Sequence, residues 1–399
     1  MLGKKPLGLL ACLVLLTIAG VAGWSFYSKQ LTGIGPAIKP PAEDITKLID
    51  KREVSLELPE GFSLEVFAKG LGDPRVIITD SNKVLIVSLP SKGQVVALPD
   101  RDKDGKTDET IVLTKGLNKP HGLALRCVDG KCQLFIAEMN ALTVYDYDAS
   151  TLTLTNRKKL VDLVSGGNHT SRSLLLLPPP NNDKLLVAVG SSCNVCHEQN
   201  RQRAKVMVYD LTTDVLKDFA VGLRNSVFQT IHPRTKEIWA TEMGRDLLGD
   251  DIPPDEINIL KEGKNYGWPN CYGQNIHDSD FDKNTYVRNP CMEPFETPAL
   301  VDLPAHSAPL GLAFINDNDL LVAYHGSWNR SVPTGYKIVR LKFGSNNTYL
   351  GSEDFITGWL QSNGTTLGRP VGLLVTKESE IFISDDKSGV IYRIFETRP

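Results

Sequence analysis

One pattern recurs along this chain: a short apolar strand, a turn rich in Asp, Asn, Gly or Lys, a second apolar strand, and often a third ending near an aromatic or charged residue. It reads PRVIITDSNKVLIVSL from Pro74, PHGLALRCVDGKCQLFIAEM from Pro120 and SRSLLLLPPPNNDKLLVAVG from Ser171. It returns as LRNSVFQTIHPRTKEIWATEM from Leu223, PLGLAFINDNDLLVAYHG from Pro309 and PVGLLVTKESEIFISDD from Pro370. Repeats of roughly 40–50 residues built from about four strands are the mark of β-propeller blades. Six copies therefore predict an all-β chain folded as a six-bladed β-propeller. Several separate β-sandwiches fit less well, because no linker interrupts the copies. The stretch EVSLELPEGFSLEVFAKGL from Glu53 alternates like a strand and is placed to complete the last blade and close the ring. A long insertion, residues 246–304, follows the fourth copy and carries DDIPPDEINIL, GKNYGWPNCYG and two cysteines. Insertions between blades lie on one face and usually carry function.

The N-terminus sets the compartment. Lys4 and Lys5 precede PLGLLACLVLLTIAGVAGWSFY, a run without a charge. A cleaved signal peptide has an apolar core of about 7–15 residues, whereas about 18 or more span a bilayer. Residues 1–30 read as a signal anchor or signal peptide, with the length favouring a retained anchor at residues 7–27 and Val21-Ala22-Gly23 offering a small-residue cleavage site. Cys12 lies in mid-run, against lipid modification of the N-terminus. The two lysines put the N-terminus in the cytoplasm and the body of the protein on the far side, in the periplasm or its equivalent. Residues 31–52, rich in Pro and Gly, read as a linker, and residues 53–399 as the propeller domain. The formal net charge of −3 is well mixed and holds no basic block, which argues against a nucleic-acid partner.

Six further cysteines form three local pairs: Cys127 with Cys132, Cys193 with Cys196, and Cys271 with Cys291. In an exported chain this arrangement reads first as disulfides. The middle pair also spells Cys193-Asn194-Val195-Cys196-His197, the C-x-x-C-H pattern of covalent c-type haem. The two readings exclude each other, since thioether attachment would consume both sulfurs.

The blade starts carry the candidate chemistry. His169, in SGGNHTSRSLL, is suited to act as a general base at the mouth of a propeller channel, and His121 in KPHGLAL holds the corresponding place one copy earlier. Arg224 and Asn225 open the fourth copy, and Arg369 precedes the sixth. Equivalent positions of different blades converge on the axis, so its centre is expected to be cationic, rich in donors and suited to a ligand with carboxylates. DRDKDGKTDE from Asp100 to Glu109 begins like a calcium loop, but its twelfth position is Ile111 and no EF-hand helices are expected to flank it; a solvated turn is the alternative. Sequons at Asn168, Asn329 and Asn346 carry little weight.

With these residues in view, the chain resembles the soluble quinoprotein sugar dehydrogenases, in particular the sorbosone and aldose sugar dehydrogenase-like branch that uses pyrroloquinoline quinone (PQQ). The resemblance is carried by PHGLAL, GGNHTSRSL, VGSSCNVC, GLRN, TEMGRDLLGDDIPPDEIN, GKNYGWP, APLGLAF, HGSWNRS and the stretch from GRPVGL through DDKSGVIYRI. It implies a six-bladed propeller, PQQ and Ca2+ as cofactors, a sugar or aldehyde substrate, and a quinone or cytochrome as electron acceptor. By resemblance His169 is the catalytic base and Arg224 stabilises developing charge. Cofactor contacts fall on His121, Arg224, Asn225 and Arg369. The carbonyls of Gly244 and Arg245 match backbone ligands of the calcium ion. In this branch SSCNVC belongs to the propeller pattern, so the resemblance implies a small disulfide ring rather than haem.

The sequence departs from the glucose-oxidising branch at two further PQQ-carboxylate partners, where Leu367 and YHGSWNR stand; His325, Trp328, Arg330 and Lys337 are the candidates to replace them. Met243-Gly244-Arg245 stands where that branch has a His-Gly-Pro turn. The competing functions are a calcium-dependent lactonase, which needs an axial cage of Glu, Asn and Asp, and a non-catalytic sensor or interaction propeller.

Overall fold

A computed structural model describes residues 56–397, together with Gly20 and Val21. The anchor and linker readings and Cys12 otherwise lie outside the described residues, as do residues 53–55 of the closing stretch. Among the described residues, no helix is long and apolar enough to cross a membrane.

Six sheets follow one another around a ring, spanning residues 77–115, 122–162, 172–221, 229–303, 309–356 and 370–396, all antiparallel except that Lys264–Asn265 adds a parallel fifth strand to the third. The last sheet has three strands from the C-terminal end of the chain and takes its fourth from the start. Phe62–Ala68 pairs antiparallel with Val390–Glu396, from Phe62 opposite Glu396 to Ala68 opposite Ile391. This is the closing strand that the sequence alternation predicts.

Middle strands such as Leu85–Leu89 and Ile381–Asp385 are buried along their whole length, because each blade is covered on both faces by its neighbours. Six apolar clusters fill the six interfaces. Trp359, Tyr392, Phe355 and Ile338 join the fifth and sixth blades, and Trp239, Val301, Leu320 and Phe343 join the fourth and fifth. Each such side chain contributes about 1.5–3 kcal/mol on full burial. Near the axis there is room for backbone alone: a Cβ on Gly122, Gly311 or Gly372 would overlap the backbone of Arg172, Val371 or Arg75 in the next blade. The small residue in PHG, PLG and PVG is thus what lets the inner strands meet.

The stretch 246–304 is not a single insertion. Asp255–Leu260 is the third strand of the fourth blade and Val301–Leu303 its outer strand, so two loops, 243–254 and 261–300, carry the extra chain. The alternating DEINIL is a blade strand because Ile257 and Leu260 fill the blade interfaces. All three cysteine pairs are disulfides. Both sulfurs of Cys193 and Cys196 are therefore in use, and the haem reading falls. At Asp100, the carboxylates of Asp100, Asp102 and Asp108 lie within 4.8 Å of one another, whereas Asp104 accepts from Lys106 N at 2.8 Å within its own turn.

Candidate active site

The loop before the third blade's inner strand reverses through Gly166 and Gly167, both at positive φ (77° and 78°), a conformation glycine adopts without cost. It also runs so close to Ser192 that a Cβ on Gly167 would meet Ser192 Cα at 2.7 Å. Two arginines fasten it. Arg172 donates to the carbonyls of His169 (3.1 Å), Ser171 (2.8 Å) and Val164 (2.5 Å), and Arg203 to those of Ser165 (2.8 Å) and Gly166 (2.6 Å).

His169 is placed by this clamp. Its Nδ1 lies 2.9 Å from both the carbonyl oxygen and the Oγ of Ser191. A carbonyl only accepts, so Nδ1 carries the proton and Nε2 is left with its lone pair. Burial, reinforced by the positive charge of Arg224 and then of Arg203 and Arg172, pushes the imidazole down to about 3 despite the Ser191 contact. The ring is neutral at any ordinary pH and offers one basic nitrogen. Gly190 makes the close fit possible, since a Cβ there would meet His169 Cβ at 2.7 Å and Asn225 Oδ1 at 2.6 Å.

Arg224 is buried, and every arm of its guanidinium is held. Nε donates to the carbonyl of Asn194 (2.8 Å), Nη1 to that of Gly244 (2.9 Å), and Nη2 to Asn194 Oδ1 (2.9 Å) and Asp246 Oδ2 (3.0 Å). Asn225 N donates to Glu242 at 2.8 Å. His169, Arg224, Asn225 and Gly244 are thereby brought together at one end of the third and fourth blades. The side chain of Arg245 turns away into an ion pair with Asp278, Nε to Oδ2 at 2.6 Å, which ties down the loop 261–300.

Next to His169 in the chain, Thr170 and Ser171 border a cavity of about 390 Å³ together with Arg75, Lys119, His121 and Asp386. His121 is 2% exposed, and its Nε2 has no partner among the described residues. Burial first, then the Arg75 charge, hold this imidazole well below its ordinary range. On the far wall Arg75 pairs with Asp386 at 2.6 Å, and Asp386 meets His325 Nε2 at 3.0 Å. Arg369 donates to the carbonyls of His325 (3.1 Å) and Gly326 (2.7 Å) and lies over the Tyr336 ring.

Of the four residues considered for the missing carboxylate partners, His325 alone reaches this cluster. Trp328 is exposed, Arg330 pairs with Asp251, and Lys337 with Asp354. Sequence reasoning missed Arg75 and Lys387, which stands next to Asp386 and contacts Thr366 Oγ1. Arg75 was findable, since it follows Pro74 in the first copy as His121 follows Pro120 in the second. Lys387 had no such signal.

Both implied cofactors fit the residues present. A planar tricarboxylate needs fixed cations on a partly dry axis, and Arg75, Arg369 and Lys387 supply them. A hard divalent cation needs oxygen ligands and buried negative charge. Glu242 Oε2 is buried without a partner, and the Gly244 carbonyl keeps a second lone pair. Without counter-charge, burial raises Glu242 well above the usual carboxyl range and pushes Asp255 and Glu256 up to about 7.

A family model described as TrAA12-like matches residues 56–397. An uncharacterized protein of Borreliella burgdorferi is 30% identical over 375 residues, 89% of this chain and 92% of that one. A pyrroloquinoline quinone-dependent sugar dehydrogenase of Hypocrea jecorina is 27% identical over 391 residues, 84% of this chain and 87% of that one. The calcium structure of the Trichoderma reesei family AA12 enzyme superposes with a TM-score of 0.75 at 24% identity, covering 86% of this chain and 97% of that one, a likeness of fold. With a family model covering the entire described propeller and a relative matching over nearly its full length, the chain belongs to the TrAA12-like family.

Proposed function

We propose that this protein is a PQQ-dependent, calcium-assisted dehydrogenase that oxidises a sugar or a sugar-derived aldehyde. The observation that carries the reading is His169: a neutral imidazole with Nδ1 tied to Ser191 and Nε2 free, beside Arg224 and facing an axis lined by cations. The name of the Hypocrea jecorina relative and the calcium form of the Trichoderma reesei structure support the choice of cofactors.

His169 Nε2 takes the proton of the substrate hydroxyl as the C–H bond gives up its hydride. The Ser191 carbonyl and hydroxyl steady the imidazolium that forms, by accepting from Nδ1–H. Arg224 presents a fixed positive charge where negative charge develops, and this preorganisation needs no rearrangement in the transition state. Arg75, Arg369 and Lys387 would hold the carboxylates of PQQ, and the carbonyls of Gly244 and Arg245 with Glu242 would hold the calcium ion. When bound, PQQ supplies the two-electron acceptor, and calcium supplies the Lewis acid that polarises it. The electron acceptor would be a quinone or a cytochrome.

Replacing His169→Ala tests the assignment. PQQ affinity, followed by quenching of protein fluorescence, is expected to stay within about threefold while turnover falls about 10²–10⁴-fold, the usual weight of a general base. Equal loss of both would remove His169 from the chemistry.

A further inference from the structure

The disulfide between Cys193 and Cys196 closes a four-residue ring at the one place from which both His169 and Arg224 are held. On one side Ser191 Oγ donates to the Cys193 carbonyl at 2.7 Å while Ser191 accepts from His169 Nδ1. On the other side Asn194, inside the ring, takes Arg224 Nε on its carbonyl (2.8 Å) and Arg224 Nη2 on its Oδ1 (2.9 Å). The same Oδ1 accepts from Asp246 N (2.8 Å), and Asn194 Nδ2 donates to the Asp246 carbonyl (2.9 Å), so the first residues of the loop 243–254 hang from the ring as well. A free C-N-V-C segment is a surface loop of small and polar residues with many conformations, and such a loop does not hold a guanidinium to a fraction of an ångström. Cross-linking its ends removes that freedom.

We infer that the Cys193–Cys196 ring is a positioning element of the active site, with Asn194 the residue that aims Arg224 and the Cys193 carbonyl the one that steadies Ser191 behind His169. The inference rests on the proposed dehydrogenase reading only for what is being positioned; the geometry itself does not depend on it. The other two disulfides have no such contacts. Cys127–Cys132 joins two opposed strand residues of the second blade, and Cys271–Cys291 closes the loop 261–300.

The test uses full-length protein exported to an oxidising compartment, labelled at arginine nitrogens, with the Arg224 Nε–H signal assigned through Arg224→Lys. Wild type should show this proton protected from solvent exchange. Cys193→Ser/Cys196→Ser should lose the protection, whereas Cys127→Ser/Cys132→Ser should keep it. Asn194→Ala, which leaves the bridge and its backbone intact, serves if the cysteine pair fails to fold; it removes the Oδ1 acceptor and should speed exchange of the Arg224 Nη2 protons, with Nε–H still on the backbone carbonyl. After loading with PQQ and calcium, the Cys193/Cys196 and Asn194 variants should lose about 100-fold in kcat, the usual result of misplacing a reacting group by about 1 Å, with KM changed less than about threefold. Unchanged Arg224 protection in both the Asn194 and the Cys193/Cys196 variants would overturn the inference, as would equal effects from the Cys127/Cys132 pair. If wild type proves inactive yet the exchange pattern follows expectation, the dehydrogenase reading fails and the positioning role stands.

Discussion

A histidine beside three arginines is a base whose protonation is opposed by burial and by every charge near it. The groups facing His169 are Arg224, Arg203 and Arg172, with the Ser191 carbonyl alone favouring the charged ring. Its folded value of about 3 lies below the unfolded value near 6.5. The stability contributed by this group is therefore fully present above about pH 6.5 and is lost as the pH falls toward 3, because only the unfolded chain takes the proton in that window. A bound tricarboxylate adds negative charge to the same axis, so loading should raise the His169 midpoint. Ring-nitrogen NMR of the cofactor-free and loaded protein checks this. A midpoint near 6.5 in the cofactor-free protein, or a fall on loading, would contradict the electrostatics described. His169, Arg224, Asn225 and Arg369 were legible because each sits at a repeat boundary within a run of small residues. The acids that bind and offset the arginines were not: Asp386 with Arg75 and Asp246 with Arg224 meet only when different parts of the ring come together.

The strand Phe62–Ala68 bears the closure of the whole ring. It supplies Phe62, Leu64 and Val66 to the interface with the fifth blade and Phe67 and Ala68 to the interface with the first. Phe67, which is buried, contributes about 1.5–3 kcal/mol, and the partly buried Phe62, Leu64 and Val66 add to it, against the roughly 5–15 kcal/mol by which a typical domain is stable. A chain truncated to begin at Gly70 should accordingly fail to melt as a cooperative unit in a thermal scan by circular dichroism. A melting temperature within a few degrees of the untruncated protein would show that the ring does not need its clasp. At this scale the sequence was informative, since strand alternation and repeat spacing report local burial. The misreading of residues 246–304 has the same origin: DEINIL is a blade strand, but the loops on either side obscure the period that marks the other copies.

Around the axis of the whole molecule every blade contributes. Val227, Leu310 and Val371, from the fourth, fifth and sixth blades, pack into one apolar cluster, while polar site residues come from all six blades: Arg75, His121, His169, Arg224, His325 and Arg369. Arg75, His121 and Asp386 border a cavity of about 390 Å³. Arg75 and Arg224 are offset by Asp386 and Asp246, and Arg369 is held by backbone carbonyls. On the proposed reading, an anionic ligand that brings several carboxylates at once would find these cations already fixed in place. The direct test is to prepare the protein in a host that makes no PQQ, titrate it with PQQ and calcium, and follow binding by calorimetry and aldose-dependent dye reduction in parallel. Saturable PQQ binding, with dye reduction appearing only after both additions, is the predicted result; a folded protein that binds no PQQ would contradict the account.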